Sequence, residues 1–258
     1  MSNLKITLIQ ITLYWEDIDK NIKMFSQKLD KVKEKTDLII LPEMFSTGFT
    51  MNARKLAEGM NGKAVVFMKH FSEKLNSYIC GSVIIKSGKK FYNRLIVCSP
   101  EGKTQYYDKR HLFSIGKENS VYTEGKKHLI INIKGWRVAF FICYDLRFPV
   151  WCRNKNNYDA AVFSANWPME RNYYWKNLLL ARAIENQCYV AGVNGIGKDG
   201  KGYALSGDSA IINPLGKYIL EAKVKNGIFS AQLDRKILDN FRKKFPVYKD
   251  ADKFKIIL

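Results

Sequence analysis

The protein has 258 residues, of which 47% are hydrophobic and 13% aromatic, and this length and composition suit one α/β domain with a large buried core. Its formal net charge is +19, but the lysines are scattered without a basic tail or a nucleic-acid motif, so we expect a solvated basic surface and no nucleic-acid partner. No run approaches the roughly 18 to 20 apolar residues of a membrane span, and the N-terminus MSNLKITLIQ lacks the features of a signal peptide, so we expect a cytoplasmic protein without a membrane partner.

Cysteine and histidine usage argues against a disulfide framework and against a metal centre. The five cysteines are odd in number and have no short repeated spacing, and only three histidines are present. No CxxC, HxH or HExxH motif occurs. We therefore expect reduced cysteines and no metal.

Short apolar runs rich in Ile, Val, Phe and Tyr recur along the chain and predict β-strands. In chain order these runs are LKITLIQI, DLIILPE, YICGSVIIK, RLIVC, LIINI, RVAFFICYD, YDAAVFSA, CYVAGVNG, SAIINP and GIFSAQL. Spacings of three and four predict an amphipathic helix between the first two runs, and similar patterns predict two more helices. The apolar positions of these helices are Ile18, Ile22, Phe25, Leu29 and Val32, then Phe67, Phe71 and Leu75, and a third helix covers roughly residues 172–187.

Glycine-containing turns at SGKK, PEGK and IKGW predict hairpins that interrupt the β-α alternation. The order of elements suggests two stacked sheets with helices outside. No linker, repeat or low-complexity tract divides the chain, so we expect a single domain with a core of about residues 4–235. The remaining segment, about residues 236–258, is charged and less periodic, and we expect it to pack along the surface or to reach a partner subunit.

Cys143 lies between RVAFFI, which predicts a buried strand, and YDLRFPVW, in which Pro149 suits the early part of a helix. A strand-to-helix turn would expose the thiol, and the helix N-terminus would stabilise the nucleophilic thiolate. The backbone N–H of Tyr144 would then be placed to bind an oxyanion. A small core cysteine is the alternative, because free cysteine is among the most buried residue types.

Three charged residues are further candidates for chemistry. Glu43 ends DLIILPE, where a carboxylate at the tip of an apolar strand suits a general base, although a helix cap or a surface ion pair is the alternative. Lys109 follows an alternating aromatic strand in YYDKRHLFS, and Glu118 comes nine positions later. Taken singly, both are as well explained as solvated charges.

The combination of these residues resembles a known family. LPEMFSTGF, YDKRHLF and FFICYDLRFPVW, which contain Glu43, Lys109 and Cys143, resemble the three signature blocks of the nitrilase superfamily. Four downstream blocks are similar to bacterial members of its omega-amidase branch, so the resemblance runs from the first strand to about Asp252. These blocks are YDAAVFSANWP, LLLARAIENQCYVAGVNGIG, GDSAIINPLG and FRKKFPVYKDAD.

The resemblance implies a four-layer α-β-β-α sandwich that forms a homodimer or a higher homo-oligomer. It also implies that Cys143 attacks an amide carbonyl, that Glu43 moves the protons, and that Lys109 stabilises the oxyanion together with the Tyr144 N–H. The reaction then passes through a thioester without a cofactor. Glu118 matches a second acidic residue that orients Lys109 in many members, with a structural salt bridge as the alternative.

Omega-amidases act on short dicarboxylate monoamides such as 2-oxoglutaramate, 2-oxosuccinamate and succinamate. The resemblance leaves two roles open for Arg147, which either binds the distal carboxylate of the substrate or pairs with a carboxylate of the fold. Phe113, Asn166 and Trp167 are candidates for the pocket wall, and simple packing is the alternative for the two aromatic residues.

Two other functions remain open. The chain resembles the superfamily closely enough that an amidase acting on deaminated glutathione or on N-carbamoyl compounds is a second hypothesis, and only the pocket separates these substrates. A non-catalytic interaction protein that keeps the fold is a third hypothesis, against which the intact Glu43, Lys109 and Cys143 count.

Overall fold

The computed structural model describes residues 2–32 and 34–257. Met1, Lys33 and Leu258, the last residue of the predicted C-terminal extension, lie outside the described residues. The described residues form five α-helices, which are α1 Ile18–Leu29, α2 Ala53–Leu56, α3 Lys63–Lys74, α4 Asn172–Glu185 and α5 Arg235–Lys244. None of these helices combines the length and the apolar character that a bilayer crossing requires.

The strands form two six-stranded sheets and one separate hairpin. The first sheet has the order β14-β1-β2-β3-β4-β5, with β1 Leu4–Gln10, β2 Leu38–Ile40, β3 Tyr78–Ser87, β4 Lys90–Cys98, β5 Thr104–Asp108 and β14 Gly227–Leu233. The second sheet has the order β13-β12-β9-β8-β7-β6, with β6 Ile130–Ile133, β7 Trp136–Ile142, β8 Ala160–Ala165, β9 Tyr189–Asn194, β12 Ala210–Ile212 and β13 Tyr218–Glu221. The hairpin consists of β10 Ile196–Lys198 and β11 Ala204–Ser206.

The core lies between the sheets, and helices cover their outer faces. Apolar side chains of both sheets, such as Leu8 of β1 and Val162 of β8, belong to one buried cluster. A second cluster joins the other face of the first sheet to α1 and α3 through Phe25 and Phe71, whereas α4 packs on β9 and β12. The predicted α-β-β-α order is therefore confirmed.

The predicted hairpins also form, because the turn residues supply the backbone geometry that these turns need. Gly88, Gly102 and Gly135 have φ angles of 59°, 79° and 84°, a region that glycine occupies at little cost. One expectation about the helices needs adjustment. The first helix ends at Leu29, so Val32 lies beyond it, although the Val32 side chain still packs against the second cluster.

The C-terminal segment contains a helix that the sequence analysis missed. Asp234 caps α5 by accepting a hydrogen bond from the backbone N–H of Lys236, and Leu238 is buried against the core. Beyond α5 the chain continues along the surface of the same subunit, where Lys155 donates to the carbonyl oxygen of Phe254 at 2.8 Å.

Candidate active site

Side chains of both sheets meet at the carboxyl ends of four strands. Glu43 follows β2, Lys109 directly follows β5, Cys143 directly follows β7 and Asn166 directly follows β8. Strands β2 and β3 are parallel, and β5 runs in the same direction as β3 because two antiparallel pairings separate them. The sheets therefore present the four residues at one edge of the sandwich.

Glu43 is fully buried and accepts hydrogen bonds on both carboxylate oxygens. Lys109 Nζ donates to Oε1 at 2.9 Å, and Asn93 Nδ2 donates to the same oxygen at 2.8 Å. The backbone N–H of Asn166 donates to Oε2 at 3.0 Å. These bonds leave little freedom for the carboxylate, so its position relative to Cys143 is defined by the two sheets together.

Glu118 is the second buried carboxylate of the cluster. It accepts hydrogen bonds from Lys109 Nζ at 2.9 Å and from the backbone N–H of Phe113 at 2.6 Å. Asn93 Nδ2 donates to Glu118 Oε1 at 3.0 Å, so one amide bridges both carboxylates. Glu118 is not at the cavity surface but behind Lys109, and its contacts match an orienting role.

The charges of the cluster shift the proton affinities of its members. Burial lowers the pKa of Lys109, but the charges of Glu118 and Glu43 outweigh burial and raise the pKa above its ordinary value. Burial raises the pKa of Glu118, against the opposing charge of Lys109. Lys109 is thus held as an ammonium between two carboxylates, and the cluster can accept a further proton.

Cys143 begins a five-residue 3₁₀ turn, Cys143–Arg147, and has a φ of 41°, a strained value for a residue other than glycine. The turn ends before Pro149, so the expectation that Pro149 lies early in a helix is wrong. The short turn holds the thiol at the end of β7 without a long helix behind it.

The expectation that the resting site stabilises a thiolate is also wrong. Burial raises the pKa of the Cys143 thiol, the charge of Glu43 raises it further, and the Lys109 ammonium only partly opposes this effect. The proton therefore stays on sulfur in the resting protein. Glu43 faces the thiol and is the group available to accept that proton.

The thiol opens into a cavity of about 410 Å³, a size within the range of small-molecule sites. Glu43, Lys109 and Cys143 lie in its wall. The five residues predicted to bind substrate also line it, namely Phe113, Tyr144, Arg147, Asn166 and Trp167. The ring of Phe113 packs edge-on against Tyr144 with centroids 5.1 Å apart, so aromatic side chains form one wall beside the thiol.

The structure separates the two roles left open for Arg147. In the part of the chain that the structure describes, no carboxylate lies within 4.0 Å of its guanidinium, so the fold supplies no ion-pair partner. The guanidinium instead lies over the rings of Trp167 and Tyr174, at 5.1 and 4.8 Å from their centroids. Arg147 therefore keeps its charge available to a ligand in the cavity.

Sequence analysis missed Asn93, which is fully buried in β4 and bridges Glu43 and Glu118. A polar residue inside the run FYNRLIVC was a signal that we did not use. Sequence analysis also missed Asp145, which is a buried carboxylate. Asp145 accepts hydrogen bonds from Tyr107 Oη at 2.7 Å and from the backbone N–H of His111 at 2.9 Å. Asp145 thereby ties the turn of Cys143 to the loop after Lys109.

Metal ligation has no candidate among the described residues, since no group of three or more His, Cys, Asp and Glu side chains there could hold an ion. Asn166 instead holds Glu43 through its side-chain amide. Its Nδ2 donates to the carbonyl oxygen of Glu43 at 2.6 Å, while its buried Oδ1 accepts no hydrogen bond from the described residues. The Oδ1 atom is buried and lies against Gly195, where a Cβ would come within 2.4 Å of it, so it does not open to the cavity.

Comparisons with known proteins agree with this arrangement. The model of the carbon-nitrogen hydrolase family matches residues 5–243. Omega-amidase YafV of Escherichia coli (strain K12) is 42% identical over 257 residues, which cover 99% of this chain and 100% of YafV. The 2-oxoglutaramate amidase of Bacillus subtilis (strain 168) is 32% identical over 253 residues, with coverages of 96% and 97%. The crystal structure of XC1258 from Xanthomonas campestris, a CN-hydrolase superfamily protein with an arsenic adduct in the active site, has a TM-score of 0.97 at 39% identity, with coverages of 99% and 100%.

Proposed function

The chain belongs to the carbon-nitrogen hydrolase family, and we propose that it is an omega-amidase that hydrolyses the terminal amide of short dicarboxylate monoamides to the acid and ammonia. The resemblance to the nitrilase superfamily and its omega-amidase branch is confirmed by the same relatives. One observation carries the catalytic assignment. A buried Glu43–Lys109–Glu118 cluster lies beside the Cys143 thiol in a cavity that also contains Arg147, whose guanidinium has no carboxylate within 4.0 Å among the described residues.

In the proposed first half-reaction, Sγ of Cys143 attacks the amide carbonyl carbon while Glu43 accepts the thiol proton. The raised pKa of the thiol makes this base necessary, because little thiolate is present beforehand. The oxyanion of the tetrahedral intermediate is stabilised by the Lys109 ammonium and the Tyr144 N–H. The C–N bond then breaks, and Glu43 delivers its proton to the departing ammonia.

In the proposed second half-reaction, water attacks the thioester carbonyl and Glu43 accepts a proton from that water. Collapse of the second intermediate breaks the C–S bond, and the proton returns to sulfur as the acid leaves. Glu118 acts through Lys109, which it holds at 2.9 Å, as a positioning residue. The steps balance with water as the only co-substrate and with no cofactor.

Substrate selection is proposed to use Arg147 and the apolar walls of the cavity. Arg147 binds the distal carboxylate, since its guanidinium has no carboxylate partner within 4.0 Å among the described residues. At the amide end, Asn166 lines the cavity and holds Glu43 through its backbone N–H and its Nδ2. Phe113 and Trp167 form apolar walls along the short carbon chain between these two ends.

A cytoplasmic location and a homodimeric or larger assembly are further parts of the proposal. Five cysteines without a disulfide suit a reducing compartment. Tyr173 and Ile184 of α4 are 74% and 51% exposed, which is consistent with a helix that meets a partner subunit. A monomeric mass by light scattering would contradict the assembly.

The first experiment measures ammonia release from 2-oxoglutaramate, succinamate, glutamine and a simple nitrile. We expect turnover of the first two by the wild type and none by Cys143→Ala. Cys98→Ala serves as the matched control, because Cys98 is buried in β4 away from the cavity and should be dispensable for activity. Full activity in Cys143→Ala would rule out the mechanism, and silence of the wild type on all four compounds would rule out the substrate class.

A further inference from the structure

Two arginines, not one, face the catalytic cavity without an acidic partner among the described residues. Arg147 and Arg171 both line it, and across residues 2–32 and 34–257 no carboxylate lies within 4.0 Å of either guanidinium. Most arginines of the chain behave differently and pair with a carboxylate. These paired residues are Arg94, Arg110, Arg137, Arg182, Arg235 and Arg242.

Aromatic rings hold both of the unpaired guanidinium groups. Arg147 lies over Trp167 and Tyr174, whereas Arg171 lies over the ring of Phe113, 5.3 Å from its centroid. Stacking of this kind fixes a guanidinium while its N–H groups in the ring plane remain available as donors. Because Phe113 also packs against Tyr144, the residue next to the nucleophile, Arg171 belongs to the same wall as the reacting centre.

Charges near the mouth favour an anionic ligand at this place. Lys117, Lys198 and Lys201 also line the cavity, while Glu170 and Asp199 partly offset them. The lysines supply a general positive field, which attracts anions without fixing their orientation. A guanidinium instead presents a planar set of donors that matches adjacent oxygen acceptors.

We propose that Arg171 is a second substrate-binding cation, which together with Arg147 binds the 2-oxo-carboxylate end of the substrate. This inference rests on the proposed amidase function and adds a preference within its substrate class, for monoamides of 2-oxo dicarboxylic acids over monoamides without the 2-oxo group. A plain carboxylate has two oxygens, which one guanidinium can bind through two parallel hydrogen bonds. A 2-oxo-carboxylate adds a third oxygen on the neighbouring carbon, and the second guanidinium supplies a donor for this oxygen.

The test measures binding of the reaction products, so that it does not depend on turnover. In a Cys143→Ala background, calorimetry compares 2-oxoglutarate with glutarate, which lacks only the 2-oxo oxygen. Arg171→Met should weaken 2-oxoglutarate binding by about 10- to 100-fold, the loss expected for one charge-assisted hydrogen bond. Glutarate binding should weaken by less than about threefold, whereas Arg147→Met should weaken both ligands.

The matched control is Arg54→Met, which removes the same charge from an exposed residue of α2 outside the cavity. It should change neither affinity. Equal losses for the two ligands in Arg171→Met, or no loss for either, would overturn the assignment of Arg171. Failure of the amidase proposal is recognised separately, since it appears as absent ammonia release by the wild type and not as a change in ligand preference.

Discussion

The two ends of β8 each carry a buried ionic cluster, and the clusters differ in composition and in access. At the carboxyl end, Asn166 contacts a cluster in which one lysine lies between two carboxylates, Glu43 and Glu118. At the amino end, Asp159 is a single carboxylate bound by three arginines. These arginines are Arg137, Arg235 and Arg242.

The comparison shows that burial and charge alone do not identify a catalytic site. The arginines around Asp159 also bind backbone carbonyls, and Arg242 donates to those of Gln187 and Tyr158 at 2.9 and 2.8 Å. That cluster joins α5 to the second sheet and lies outside the cavity. The cluster of Glu43 instead faces a thiol and a cavity. Because it contains two carboxylates and only one ammonium, it can accept a proton from the thiol.

The strongest test of this comparison removes one cation from each cluster. Lys109→Met should lower kcat for succinamate by about 10² to 10³, because the developing oxyanion loses its point charge. Arg242→Met, the matched change in the other cluster, should leave kcat per folded molecule unchanged. Steady-state kinetics with circular dichroism as a check of folding measure both, and equal losses of kcat would show that the clusters are not functionally distinct.

The next largest effect concerns the cluster around Asp159, whose contribution to the free energy of unfolding should depend on pH. Hydrogen bonds and charges of its arginines overcome the effect of burial and lower the pKa of Asp159 from 3.8 to about 2. A carboxyl with a depressed folded-state pKa contributes stability that is present above its unfolded pKa and is lost as pH falls towards the folded value. The shift corresponds to about 2 kcal/mol of unfolding free energy.

Asp159→Asn should therefore be less stable than the wild type near neutral pH, and this difference should shrink as pH falls from about 5 to about 2. Urea unfolding at a series of pH values measures it. Asp30→Asn is the control. Asp30 forms an ion pair with Lys74 in which both side chains are half-exposed, and such a pair contributes little to the free energy of unfolding. A difference for Asp159→Asn that stays constant across this range would contradict the assignment.

The smallest effect is expected for Asn93→Ala, which leaves all charges of the catalytic cluster in place. Loss of the amide that donates to both carboxylates should raise the pKa of Glu118 further, since these bonds favour the ionised form. We expect kcat/KM to fall about tenfold, the cost of roughly one hydrogen bond, and its acidic limb to move to higher pH.

Profiles of kcat/KM between about pH 5 and pH 9 test this positioning role. Asn132→Ala, at an exposed position of β6, provides the control and should leave the profile unchanged. A uniform loss of activity in Asn93→Ala without a shift of the acidic limb would point to a packing defect instead.

The fold was largely predictable because apolar strand runs and helical spacings are local signals. Glu43, Lys109 and Cys143 were assigned because the blocks around them resemble the signature blocks of the nitrilase superfamily, whereas their positions near strand ends alone left alternatives open. A polar residue inside FYNRLIVC marks Asn93 locally, but its role depends on partners 50 and 25 residues away, which the local pattern does not identify. The helix α5 was missed because its charged residues obscured Leu238, Phe241 and Phe245 at helical spacing.

The protonation of the thiol could not be read from the sequence either. A helix N-terminus behind Cys143 was expected from YDLRFPVW, but the turn ends at Arg147. The proton affinity of the sulfur is then decided by burial and by Glu43, which is 100 positions away in the chain. The sulfur and Glu43 come close together because the two sheets stack face to face.

The accessibility of the cysteine sulfur atoms provides a way to titrate the intact active sites of a preparation. Cys80, Cys98, Cys152 and Cys188 are buried, whereas Cys143 is half-buried and opens to the cavity. A small alkylating reagent applied to the native protein is therefore consumed first at one position per chain. The amount of reagent bound at that stage reports the concentration of intact active sites, which converts any measured rate into a turnover number for the competent fraction of a preparation.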